Sequence, residues 1–99
     1  MNDIRKTVAA LRELVEELKN ASTVFERAAL FSAIRALTDD IRETDDEEVN
    51  GYAREKAYKV RWHSAAALGF DIDNGHPAES HRCWALGELS TLESVAEQR

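Results

Sequence analysis

Cysteine, proline and long apolar runs are all scarce in this chain of 99 residues. A lone cysteine, Cys83, excludes an internal disulfide. The longest apolar run, about Ala65 to Phe70, falls far short of the roughly 20 residues that a membrane-spanning helix needs. No secretory h-region stands near the start, so the cytoplasm is the expected compartment. A single proline leaves few chain breakers, and no stretch alternates polar and apolar residues as a half-buried strand would. Phosphate-cradling glycine loops, nucleophile turns, CxxC and HExxH are missing. Their absence removes the usual supports for nucleotide binding, acyl transfer and zinc chemistry.

What remains is the composition of one ordinary globular domain, with 43% hydrophobic and 32% charged residues. A chain of this size buries a thin core, and a dimer interface would add to it. The net charge of −6 is local. Asp39, Asp40, Glu43, Asp45, Asp46, Glu47 and Glu48 lie close together, opposed only by Arg42, and the rest of the chain is balanced. This distribution argues against direct nucleic-acid binding, which wants an extended basic face.

Periodicity and caps predict an all-α protein, a mostly antiparallel four-helix bundle with helices at about 3–19, 24–43, 46–68 and 77–96. Ile4, Val8, Leu11, Val15 and Leu18 repeat at intervals of 4, 3, 4 and 3, which draws one helical stripe. Read as heptads, Val8 and Val15 fall at a, with Ile4, Leu11 and Leu18 at d, a pattern that also suits a homodimer. Thr23 and Glu26 form a capping box before the second helix, whose stripe is Leu30, Ile34, Leu37 and Ile41. Thr44 and Glu47 form another, so the acidic cluster doubles as a corner between two helices. Gly69 suits the left-handed residue after the third helix. Asn74-Gly75 marks a turn, and Pro77 fits the first position of the fourth helix. Ala78, Ala85, Leu89, Leu92 and Ala96 supply the stripe of that helix, with Trp84 and Val95 on one flank and His81 beside it.

The third helix carries two faces. Val49, Ala53, Val60 and Ala67 make a weak core stripe, while Tyr58, Trp62, Ala65 and Gly69 lie opposite, flanked by Arg54 and Arg61. Either the helix is central and packs on both sides, or Tyr58 and Trp62 anchor a partner. Trp, Tyr and Arg are the residues that most often carry interface energy.

Other chemistry finds little support. Asp71-Ile72-Asp73-Asn74-Gly75 resembles a calcium loop, but its glycine comes one place early and Arg82 stands where a bidentate Glu belongs. His63, His76, His81 and Cys83 are the soft ligands available, and His81 and Cys83 diverge by roughly 200° on a helix. The bases Arg54, Lys56, Lys59 and Arg61 spread around a helix beside an acidic cluster, a weak nucleic-acid footprint.

The expectation is therefore a non-enzymatic interaction module without cofactor or bound metal. It would bind a larger protein, or itself, through Tyr58, Trp62, Arg54 and Arg61. The alternative is a phage or mobile-element inhibitor of nucleic-acid-handling or defence machinery, its seven clustered acids mimicking phosphates. A third class is metal-dependent, using His76, His81 and Cys83.

Overall fold

The computed structural model describes residues 4–44, 49, 51–70 and 75–97. Its elements are four helices: α1, Ile4–Glu16, continued by a 3-10 turn over Glu17–Asn20; α2, Val24–Glu43; α3, Gly51–Leu68; and α4, Ala78–Glu97. No strand occurs among the described residues, and none of their helices is long and apolar enough to cross a membrane. Helices consecutive in the chain are neighbours in space, and α4 closes the ring against α1. Contacts pair Asp39 with Arg61 and Arg42 with Tyr58 along α2 and α3, and Lys56 with Glu88 and His63 with His81 along α3 and α4, so these neighbours run antiparallel, as in an up-and-down bundle.

The stripe of the first helix is buried throughout: Ile4, Val8, Leu11, Val15 and Leu18 all enter the core. Opposite them come Ile34 and Ile41 of α2 and Leu89, Leu92 and Ala96 of α4. The capping box at the start of α2 is present. Glu26 N donates to Thr23 Oγ1 at 3.0 Å, and Thr23 N donates to Glu26 Oε1 at 3.0 Å. Those bonds hold the Glu26 carboxyl below the usual carboxylate range, the Thr23 backbone N–H being the largest cause. Thr38, which carries no hydrophobic signal, is fully buried. Its hydroxyl donates to the carbonyls of Ile34 and Arg35, each at 3.0 Å, so no polar group is stranded.

Four expectations are corrected. The third helix starts at Gly51 rather than near 46, because Val49 sits in a bend with its side chain buried. The expected Thr44–Glu47 box and the Asp45 to Glu48 turn lie outside the described residues. The core stripe of α3 runs through Ala53, Ala57, Val60, Ser64 and Leu68. Ala67 is only half-buried, and Ala65, placed by the wheel on the opposite face, is buried. α3 therefore packs on both α2 and α4, most extensively on α4. In α4 the stripe begins at His81, not Ala78, which is exposed. Pro77 sits one place before the expected first helical position, its carbonyl accepting from Ser80 N and His81 N at 3.0 and 3.4 Å.

The end of α3 shapes the groove between α2 and α3. Gly69 adopts φ +83°, the left-handed conformation that glycine takes without a Cβ penalty. Gly69 N donates to Ala66 O at 3.1 Å and Phe70 N donates to Ala65 O at 2.9 Å, a Schellman closure. This turn swings Phe70 back until its ring stands 5.7 Å from that of Phe31 on α2. A Cβ at Gly69 would meet no neighbour, so any cost is in the backbone. Gly69→Ala is expected to lower stability by about 1–2 kcal/mol, read as a lower midpoint in urea at unchanged slope.

Candidate functional site

Tyr58 and Trp62, one turn apart on α3, stand between two grooves. The first, about 350 Å³, lies between α2 and α3 and is lined by Phe31, Arg42, Tyr58, Arg61, Trp62, Ala65 and Phe70. The second, about 320 Å³, lies toward α4 and is lined by Tyr58, Lys59, Trp62, His63 and Glu88. Tyr58 is half exposed, at 50%. The guanidinium carbon of Arg42 lies 5.2 Å from the centre of its ring, a cation–π placement. Trp62 is half-buried.

The two expected arginines part company. Arg61 remains at the groove and donates to Asp39 Oδ1 at 3.3 Å. Arg54 turns away to the α2–α3 corner. Its Nε donates to Val49 O at 3.2 Å, one Nη donates to Thr44 O at 2.9 Å, and the other donates to Arg42 O. Arg42 and Thr44 stand at the end of α2, where the last carbonyls look outside the helix for donors, and Val49 lies just before α3. Arg54 is thus committed to holding the corner, and Arg42 takes the place beside Tyr58 that Arg54 was expected to fill.

The acidic cluster divides too. Asp39 faces both Arg61 and Arg42, the latter at 3.9 Å, so its charge is offset. Asp40 and Glu43 are exposed. Asp45, Asp46, Glu47 and Glu48 lie outside the described residues, as do Asp71 to Asn74 of the calcium-like stretch.

A feature that sequence reasoning missed lies beside Trp62. All three histidines of the chain and both tryptophans meet in one cluster between α3 and α4. His81, only 1% exposed, is its centre. Ring centres lie 5.5 Å away for Trp62, 5.3 Å for His63, 5.1 Å for Trp84 and 6.1 Å for His76. His63 Nδ1 and His81 Nδ1 are 3.0 Å apart, within hydrogen-bond distance. The available signal was the crowding of every His and Trp into residues 62–84, though periodicity placed His81 only at the edge of its stripe. Despite this crowding, no three His, Cys, Asp or Glu side chains among the described residues converge as a metal site would require. Cys83 is exposed on α4, its thiol 3.8 Å from Glu79 Oε1.

Ion pairs brace the same helices. Lys56 Nζ meets Glu88 Oε2 at 3.0 Å, tying α3 to α4. The hydrogen bond to Glu88 raises the Lys56 ammonium above the ordinary lysine value. Arg82 Nε donates to Glu79 Oε2 at 2.8 Å, which holds the Glu79 carboxyl below its usual range. Arg12 reaches from α1 to Glu93 and Ser90 on α4. A third cleft, about 380 Å³, runs between α1 and α2 past Leu14, Ala29, Leu30 and Ala33, but no aromatic side chain lines it. Comparison with known protein families, curated proteins and solved structures finds no match to this chain.

Proposed function

We propose that the protein is a non-enzymatic interaction module that docks a larger protein on the Tyr58–Trp62 ridge and acts by covering that partner's surface. The observation that carries this reading is Tyr58, half exposed beneath the Arg42 guanidinium at the edge of an aromatic groove. Phe31, Trp62 and Phe70 line the groove, and Arg42 and Arg61 stand with them. Such a surface suits an apolar side chain inserted between the rings, with a carboxylate of the partner reaching the arginines. Asp39 already shares both arginines, so an incoming carboxylate competes with it and adds selectivity more than affinity.

A second copy of the chain is the other candidate occupant. Light scattering on the purified protein separates the two cases. The inhibitor reading gains nothing comparable, since Asp39 is offset by arginine and, of the acidic cluster, Asp40 and Glu43 are the exposed members among the described residues.

Tyr58→Ala tests the proposal with little disturbance of the fold. Because the side chain is half exposed, its removal is expected to leave the melting temperature within a few degrees of the parent. Affinity for the partner should fall about tenfold or more, as at a hot spot, in titrations of the purified pair. Unchanged affinity would move the docking surface elsewhere.

A further inference from the structure

We propose that the start of α2 is a self-association site, where Phe25 of one copy of the chain inserts into the cleft between α1 and α2 of a second copy, and the reverse. This contact lies apart from the Tyr58 groove and does not depend on the docking proposal. Phe25 is 87% exposed and its neighbour Val24 74%, more than any other large hydrophobic side chain among the described residues. Single exposed apolar side chains are ordinary, but these two belong to a patch. Positions 28, 29, 32 and 36 share the outward face of α2 with Phe25, and they are Ala, Ala, Ser and Ala, all exposed. The inward face is carried by Ile34, Thr38 and Ile41, so the chain's own packing accounts for that side of the helix and not for this one.

The cleft adjoins the patch. It has a volume of about 380 Å³, with apolar walls that include Leu14, Ala29 and Leu30 and with carboxylates from Glu17 and Glu26. Ala29 belongs to both features, being exposed one turn after Phe25 and lining the cleft. Knob and hole therefore stand side by side on one surface. Such a surface can pair with itself about a two-fold axis, each contact being made twice. A different partner would have to supply a hole for Phe25 and a knob for the cleft, whereas a second copy already carries both.

Charge favours the same occupant. The turn that bears Phe25 also bears Arg27, which is exposed and whose Nε donates to the Ala21 carbonyl at a long 3.5 Å. The cleft that this turn approaches in the second copy presents Glu17 and Glu26, both exposed. A basic turn thus meets an acidic cleft. Area sets the strength. An aromatic side chain buries about 150–250 Å². Two inserted rings, the clefts that receive them and the flanking Val24 and Ala28 together reach roughly 1,000 Å², the lower limit of a specific interface. The dimer is therefore weak and dissociates on dilution, with a dissociation constant on the order of 10–100 µM.

Sedimentation equilibrium of the intact protein, from about 5 to 500 µM, tests this. The apparent mass is expected to rise with concentration toward that of two chains. Phe25→Ala removes the knob and Ala29→Gln fills the hole, and each should weaken the dimer about tenfold or more. Both positions are exposed, so the melting temperatures of the dilute variants should stay within a few degrees of the parent, which separates a lost contact from a lost fold. Tyr58→Ala should leave the dimer unchanged. A chain that stays monomeric across the range, or a dimer that survives Phe25→Ala or Ala29→Gln, would overturn the proposal. So would a dimer lost with Tyr58→Ala, which would seat the second copy at the other groove. Growth beyond two chains would refute the two-fold arrangement, since head-to-tail insertion does not close on itself.

Discussion

Trp62→Ala is expected to lower stability by about 2–3 kcal/mol, at or just below the roughly 3–5 kcal/mol typical of emptying a fully buried aromatic site, because the indole is half-buried. For a chain of this length that corresponds to a fall of roughly 10–20 °C in melting temperature. The indole lines the α2–α3 groove on one side. On the other it meets His63 and His81 with ring centres 4.9 and 5.5 Å away. Its loss therefore withdraws packing from two helix junctions at once. Trp62→Phe keeps an aromatic body and should recover more than half of the loss. Thermal melts of both variants at pH 7.5 check this, and a loss below 1 kcal/mol for alanine would place Trp62 outside the packing. Trp62 belongs to the packing and also borders the proposed docking surface, which is why Tyr58 rather than Trp62 gives the clean binding test.

Arg54→Ala is expected to cost about 2–3 kcal/mol. One guanidinium donates to the carbonyls of Arg42, Thr44 and Val49, and hydrogen bonds from a charged donor contribute about 1.5–3 kcal/mol in favourable cases. The loss falls below the sum because the side chain is only partly buried and water can replace some of the bonds. Arg54→Lys should recover less than half, since a single ammonium cannot span three carbonyls in the plane of a fork. Urea unfolding decides the point. Full recovery by lysine would mean that charge alone, and not the forked geometry, holds the corner. Partner affinity at temperatures where the variant remains folded should change little, in contrast to Tyr58→Ala.

Much of the bundle was legible because its signals are local. A stripe such as Ile4 to Leu18 encodes a face directly, the Thr23–Glu26 box sets a start, and Gly69 sets an end. The difficulties arise where a residue's role is decided by a partner distant in the chain. Thr38 is polar by composition but buries its hydroxyl against its own helix. Arg54 looks like a surface charge until α2 ends beside it. His81 looks like a flank residue until His63 and two indoles close around it. Helix α3 posed the hardest case. Its buried residues are mostly small, so a hydrophobicity wheel gives it little contrast, yet that smallness lets α2 and α4 approach from both sides. Phe31, Arg42 and Phe70 joined the site only through tertiary placement, Phe70 by the turn at Gly69.

On the docking proposal, a partner sits on Tyr58 and the groove beside it. The most direct measurement places a photoreactive benzoylphenylalanine at position 58, and separately at the exposed position Glu13, in the intact protein mixed with its purified partner. A docked partner should give a strong crosslink from position 58 and little from position 13, and the position 58 crosslink should be lost when excess unlabelled parent competes but not when excess Tyr58→Ala does. Equal crosslinking from both positions, or equal competition by Tyr58→Ala, would contradict it.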